Sequence, residues 1–171
     1  MSSQTSVIHI DFLKNYPQHI VLMAQLWHQL IAKVWVPEVS LQQAIDKFTR
    51  HCNDNVLPMT LLALDAERPV GMCSLRETEG VKENLMPWLS SLVVDPVYQN
   101  RGIGQLLIEK TQQKACDLGF DSVYLLAFDP TIPTYYQRLG WQSIGTDTYG
   151  IHPVIVMKKL LAPSNIKIME K

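Results

Sequence analysis

The segment Gln99-Asn100-Arg101-Gly102-Ile103-Gly104 sets two glycines one residue apart where a loop passes into a helical pattern. Bare backbone at such a junction lets successive N–H groups point at one anion, with the positive end of a helix dipole behind them. A pyrophosphate suits that arrangement. A dinucleotide-binding loop would need a third glycine where Leu107 stands, and an ATP-type phosphate loop would need Gly-Lys-Ser/Thr, so both of those readings fail. The same residues also fit a plain helix start that carries two loop glycines. Elsewhere, His9, His19, His28 and His51 have no metal-ligand spacing. Cys52, Cys73 and Cys116 lie far apart and outside any CxxC pattern, which argues against a disulfide framework or a structural zinc site and reads each as a small buried apolar residue. No histidine or motif accompanies Cys73 or Cys116, so neither is a good nucleophile candidate.

The elements that must position the glycine loop can be read from periodicity. Residues 7–13 read as a first strand. Pro17 then stands near the start of a helix whose apolar residues Ile20, Met23, Ala24, Trp27 and Ile31 share one side. A second helix begins at Ser40, where Ser40 and Gln43 fit a capping box and Leu41, Ile45, Phe48 and Cys52 share a face, and it ends in the polar run 51–55. The runs 59–65 and 70–77 flank a tight connection and predict an antiparallel hairpin. A strand over 88–94 stops at Asp95-Pro96, and the glycine loop feeds a helix marked by Ile103, Leu106, Leu107, Ala115 and Leu118, which Gly119 ends. A buried strand over 122–128, a short helix from Pro133 to Leu139 closed by Gly140, and strands at 141–145 and 153–157 complete the order βααβββαβαββ.

The segment LVVDPVYQNRGIGQLLI resembles the acyl-CoA-binding motif of the GNAT superfamily of N-acetyltransferases, Q/R-x-x-G-x-G/A, with Gln99, Gly102 and Gly104 in the motif positions. The family's second signature, an aromatic pair followed by a Gly-aromatic turn, has its counterpart in YYQRLGW at 135–141. The element order is similar to the GNAT fold over almost the whole chain. The resemblance implies an α/β (α+β) fold, a mixed and mostly antiparallel sheet flanked by helices, in a single domain over 1–171. It implies acetyl-CoA as co-substrate. Backbone groups of Leu92, Val93 and Val94 are then expected to meet the pantetheine arm, which binds like an added strand. Gln99, Asn100, Arg101, Gly102, Ile103, Gly104 and Gln105 are expected around the pyrophosphate. Asp129 stands where the family often has an Asn that contacts pantetheine. An Asp accepts but cannot donate, and Asp129 equally suits a cap for the short helix after Pro130.

Acyl transfer from a thioester needs a neutral amine, polarisation of the carbonyl oxygen and a proton for the departing thiolate. By the resemblance, a backbone N–H of the 88–94 strand supplies the second. Tyr136 matches the family's tyrosine general acid, a phenol that stays protonated at neutral pH; the alternative is that it only packs beside the cofactor arm. Adjacent helical residues diverge by about 100°, so Tyr135 is expected to face the core. Where family members carry a Glu or His base, this chain has Trp88 and Ser90, neither a good base, so water relays or another residue must serve. Glu77, Glu79 and Glu83 either attract a cationic amine or form a solvated loop face. Asp147, Tyr149 and His152 fall in the connection between the last two strands, with His152 read as a turn residue before Pro153.

The 171 residues carry 15 Lys+Arg against 16 Asp+Glu, a net charge of −1, which gives no electrostatic reason to expect a nucleic acid or anionic membrane as partner. With 47% hydrophobic and 18% charged residues the chain should bury a core rather than stay disordered. Its start lacks a leader pattern and no apolar run reaches a membrane span. The expectation is a cytoplasmic enzyme, monomer or homodimer and without a metal, that acetylates a primary amine of a small molecule by direct attack. A small acceptor is favoured because no appended module for docking a protein is visible. Acetylation of protein amino groups and a non-catalytic acyl-CoA-binding module are the alternatives.

Overall fold

The computed structural model describes residues 7–162. The first six residues of the segment read for a leader, and the ends of the domain expected over 1–171, lie outside them. Seven strands follow the hydrogen-bonded order β1-β2-β3-β4-β5-β7-β6. The sheet is mixed, since β1 (Ile8–Phe12) pairs antiparallel with β2 (Met59–Asp65) while β4 (Trp88–Val94) pairs parallel with β5 (Ser122–Ala127). The remaining strands are β3 (Arg68–Arg76), β6 (Gln142–Tyr149) and β7 (His152–Leu160). The helices are α1 (Ile20–Trp27), α2 (Lys33–Trp35), α3 (Leu41–Arg50), α4 (Ile103–Asp117) and α5 (Ile132–Arg138). With α1, the π-helical stretch over His28–Ala32 and α2 taken as one continuous helix, this is the element order read from the sequence. The chain divides into two compact units, residues 7–74 with 91–110 and residues 75–90 with 111–162.

In the first unit, α1 buries Ile20, Met23, Ala24 and Trp27 as its spacing predicts, but Ile31 is only half-buried and Ala32 is buried instead. The cause is a π-helical stretch over His28–Ala32, whose wider turn advances the buried stripe by one residue. The capping box at α3 is complete: Gln43 N–H donates to Ser40 Oγ (3.1 Å) and Ser40 N–H to Gln43 Oε1 (2.8 Å). The buried face of α3 centres on Ala44 and Phe48, with Leu41, Ile45 and Cys52 half-buried at its margins rather than at its centre. Phe48 is fully buried and meets Trp27 edge-on at 5.8 Å, so truncating it to Ala should cost about 3–5 kcal/mol. The β2–β3 hairpin turns through Ala66 at φ 53.

The second unit packs Val81, Trp88, Tyr124 and Val156 together, and Trp88 Nε1 donates to the Leu85 carbonyl at 2.8 Å. Gly119, at φ 94, ends α4 as expected. The last hairpin is longer than its sequence suggests. β6 and β7 pair from Gln142↔Lys158 to Tyr149↔His152, with a bulge between Ser143 and Gly145. Asp147 and Tyr149 therefore lie in β6, and His152 opens β7 instead of sitting in a turn. The bulge hides the alternation that would have revealed β6, and the mostly exposed residues of that strand give no apolar signal. Among the cysteines, Cys73 is buried as expected while Cys52 and Cys116 are half-buried. No helix among the described residues is long and apolar enough to cross a membrane.

Candidate active site

The glycine loop lies wholly in the first unit. Asp95 Oδ1 accepts from Val97 N–H (3.0 Å) and Pro96 opens a 3₁₀ turn over Pro96–Tyr98, which ends β4 abruptly. Asn100 (φ 63) and Gly102 (φ 79) are then left-handed, and α4 begins at Ile103 with Leu106 N–H bonded to the Gly102 carbonyl at 3.1 Å. The N–H groups of the first helical turn, Ile103, Gly104 and Gln105 among them, precede that first intrahelical bond and have no carbonyl to meet within the helix. A Cβ at Gly102 would touch nothing within 4 Å, so its glycine serves conformation and bare backbone, not packing.

The side chains of this loop turn back upon it. Gln99 Nε2 donates to the Val94 carbonyl (3.1 Å), and an Arg101 guanidinium N–H donates to the Val97 carbonyl (3.2 Å) while its plane sits 5.0 Å from the Tyr98 ring. Tyr98 in turn donates to Asp65 Oδ2 at 2.8 Å, a bond that raises the phenol's pKa. Gln105 Nε2 bonds Glu109 Oε1 one turn along α4. Of the strand residues, Val93 is buried and Leu92 and Val94 are half-buried. Gly71 opposes them so closely that an added Cβ would lie 2.8 Å from the Val93 carbonyl oxygen. All the expected cofactor residues except Asp129 are thus brought together on one strand, loop and helix start.

Asp129 and Tyr136 lie in the second unit. Asp129 Oδ1 accepts from both the backbone N–H and the hydroxyl of Thr131, each at 2.8 Å, which depresses the carboxyl pKa. This is a turn contact ahead of α5, whose N-cap is Thr131 with no side-chain cap bond, so Asp129 braces the approach to the helix and does not cap it. Tyr136 is 7% exposed, with its ring edge-on to Trp141 at 5.5 Å and Tyr135 at 5.3 Å. Gly140, at φ 91, lets the chain double back so that Trp141 N–H bonds the Tyr136 carbonyl at 3.0 Å. Tyr135 is 41% exposed and does not face the core. The inward face of α5 is fixed by Pro133 and Tyr136, three residues apart, which turns Tyr135 outward.

Among the groups weighed as acceptor or base positions, Trp88 is fully buried in the core, and the Ser90 Oγ is buried without a hydrogen-bond partner among the described residues. Glu79 is paired with Arg76 at 3.0 Å and Asp147 with Lys82 at 3.5 Å, so two carboxylates of this region already have cationic partners. His152 and Tyr149 both meet the Phe128 ring edge-on. Two features escape sequence reading. Ser91, within β4, is left-handed at φ 54, and Lys47 Nζ on α3 donates to its Oγ at 3.2 Å while standing 4.1 Å over the Trp27 ring. The available signal was the serine pair interrupting an apolar strand.

A family model described as an acetyltransferase (GNAT) domain matches residues 58–143, a span containing both the glycine loop and the aromatic pair. No curated protein matches the chain. Among solved structures, an aminoglycoside 6'-N-acetyltransferase complexed with coenzyme A is 20% identical, with 92% of this chain and 98% of that chain covered at a TM-score of 0.67. YncA of Salmonella typhimurium, solved with acetyl-CoA, is 13% identical over 92% and 95% of the two chains at a TM-score of 0.71. The ribosomal-protein-S18-alanine N-acetyltransferase of Escherichia coli is 15% identical over 94% and 99% at 0.67. These likenesses establish the fold, and the family match over the segment that carries the loop and the aromatic pair establishes that the chain belongs to the GNAT acetyltransferase family.

Proposed function

We propose that this chain is a single-domain enzyme that moves an acetyl group from acetyl-CoA to a primary amine of a small molecule by direct attack. The observation that carries the reading is the loop from Asn100 to Gln105, where two left-handed residues feed the start of the 15-residue α4. Its flanking side chains, Gln99 and Arg101, are already turned to the loop's own carbonyls. The donors left for a diphosphate are then backbone N–H groups from Gly102 to Gln105, and the open space at Gly102 suits close approach of its oxygens. Leu92, Val93 and Val94 would hold the amide-bearing pantetheine arm through main-chain bonds. Asp129 adds to that arm only as an acceptor.

A β4 backbone N–H would stabilise the developing oxyanion, and Tyr136 would hold a proton at Oη for the sulfur as the C–S bond breaks. Burial of Tyr136 in an aromatic cage supports this role, because the ring has one defined orientation. The buried Cys73 is assigned no part in the chemistry, and cysteines without a disulfide among the described residues suit a cytoplasmic setting. We take the acting species as a monomer or homodimer. The small-molecule acceptor rests on the likeness to the aminoglycoside enzyme. The S18-alanine enzyme is as similar in fold, so peptides belong in the same assay.

Calorimetry with acetyl-CoA and with ATP is the first test, followed by a transfer screen over polyamines, amino acids, aminoglycosides and peptides. Binding of acetyl-CoA and acetylation of a small amine are expected. Binding of ATP alone would defeat the donor assignment, acetylation of peptides alone would defeat the acceptor class, and acetyl-CoA binding with no transfer would leave a binding module.

A further inference from the structure

The proposed mechanism supplies a proton to the thiolate but names no group that takes one from an acceptor arriving as an ammonium. In the unit of residues 7–74 and 91–110, the end of α3 offers a chain of groups able to do so. His51, the residue that caps α3, is 2% exposed, and its Nδ1 lies 3.0 Å from Thr60 Oγ1 in β2. Thr60 Oγ1 lies 2.7 Å from Ser74 Oγ in β3, and both side chains are fully buried. One helical turn before His51, Lys47 donates to Ser91 Oγ in β4. β2, β3 and β4 are successive strands of the sheet. The bond from Asp95 N–H to the Val70 carbonyl (2.8 Å) and the contact of Gly71 with Val93 and Val94 run in opposite senses along β3 and β4. Counted back from Val70 and Asp95, that antiparallel register brings Ser74 beside Ser91, where the left-handed backbone of Ser91 interrupts the regular pairing. Opposed residues in a regular pair have Cα atoms about 4.5–5.5 Å apart, and with the two hydroxyls bonded to Thr60 and to Lys47 the span between them is one for a bridging water. The contacts from His51 and Lys47 place both hydroxyls on the α3 side of these strands.

We propose that Ser91, Ser74, Thr60 and His51 form a proton relay for the acceptor amine, opening beside Leu92–Val94 and held at its mouth by Lys47. The proposal rests on the acetyltransferase reading. Ser91 Oγ takes a proton from the acceptor ammonium and passes its own to Ser74, Ser74 passes one to Thr60, and Thr60 passes one to Nδ1 of neutral His51. Each hydroxyl ends as it began, and the nitrogen regains its lone pair. The C–N bond then forms as the C–S bond breaks, the proton that the nitrogen sheds in becoming an amide balances the one that the thiolate takes up, and the imidazolium releases its proton before the next turnover. The sum is one amide, one thiol and one proton per acceptor ammonium. Imidazole is suited to the end of such a path because its ordinary titration falls near neutral pH. The Lys47 charge beside Ser91 favours a neutral amine over an ammonium at the mouth. The other titratable or charged side chains on the surrounding elements are Asp46 and Arg50 in α3, Cys52 next to His51, Asp65 in β2, and Arg68, Cys73 and Arg76 in β3; β4 has none.

Thr60→Val and Ser74→Ala each remove one hydroxyl from the path. Rates with the best primary amine from the screen are followed across pH in parent and variants, with acetyl-CoA affinity measured beside them. Near neutral pH, kcat/KM should fall by about 10- to 100-fold while acetyl-CoA affinity stays within about twofold. The loss should fade as pH passes the acceptor's own pKa, because a free amine needs no relay. A loss of equal size at every pH, or no loss at neutral pH in either variant, overturns the relay. A parent that binds acetyl-CoA and acetylates nothing overturns the acetyltransferase reading and the relay with it, and that result is seen without any variant.

Discussion

Residues 95–105 and residues 129–141 carry the two halves of the proposed chemistry, and they are built in opposite ways. In the first, side chains serve the backbone: Asp95 caps the turn, Gln99 and Arg101 tie down carbonyls, and Asn100 and Gly102 bend the chain into the start of α4. In the second, the backbone serves one side chain: Pro133 sits in the first turn of the helix, Gly140 folds the chain back, and Trp141 closes on the Tyr136 ring. A site made of backbone is broken by adding atoms. A site made of one phenol is broken by taking one away.

The sharpest contrast should come from Gly102→Val. At φ 79 a β-branched residue is strained by about 1–3 kcal/mol, and its side chain fills the space above the loop's N–H groups. Acetyl-CoA at a hundred times its Kd should stabilise the parent by about 2.7 kcal/mol in thermal melts, and the variant should show none of that shift. Normal binding by the variant would remove the loop from the site. Tyr136→Phe should do the reverse, leaving acetyl-CoA affinity nearly constant while turnover falls about 10- to 100-fold. Equal turnover at every pH would make Tyr136 a packing residue, with the thiolate taking its proton from water.

The same contrast governs what the sequence reveals. The bend of the glycine loop into α4 is legible because it depends on a residue that lacks atoms, and Gly102 announces that directly. Element order was legible for a similar reason: the Ser40–Gln43 cap, Pro96, Gly119 and Gly140 are local signals that tertiary packing did not override. Where packing chooses between adjacent residues, the reading slipped. Tyr135 and Tyr136 are chemically alike, and only the contacts of α5 decide which is buried. The π-helical turn at His28–Ala32 moves burial from Ile31 to Ala32 with no residue type to mark it. His51 stands in a run that looks polar and loop-like, yet it is buried against Thr60, because its partner comes from a strand nine residues later.

If side chains in the loop only brace it, removing one should matter far less than adding a methyl-bearing branch at Gly102. Arg101→Ala loses a bond to the Val97 carbonyl and a stacking contact with Tyr98, each exposed and worth about 1 kcal/mol or less. Acetyl-CoA affinity should drop by less than about tenfold, the equivalent of some 1.4 kcal/mol. A drop as large as that of Gly102→Val would mean that the guanidinium itself grips the phosphates.

The smallest effect should be that of Tyr98→Phe, one step further from the ligand. Tyr98 donates to Asp65 at 2.8 Å, and its pKa is raised above the ordinary phenol value, first by that bond and then by burial and the Asp65 charge, against the lowering pull of Arg68 and Arg101. A phenol whose folded pKa is raised contributes stability that is fully present below the unfolded value of about 10 and is lost as pH climbs through the folded value. The parent should therefore melt slightly higher than Tyr98→Phe at neutral pH, and the gap should close only above about pH 10. Acetyl-CoA affinity should barely change, since the Phe ring still lies beneath Arg101. A gap that persists at high pH would trace the stabilisation to ring packing instead of the Asp65 bond. A marked loss of affinity would show that the loop's left-handed residues depend on a brace to β2, and that the backbone site is less self-sufficient than the aromatic cage around Tyr136.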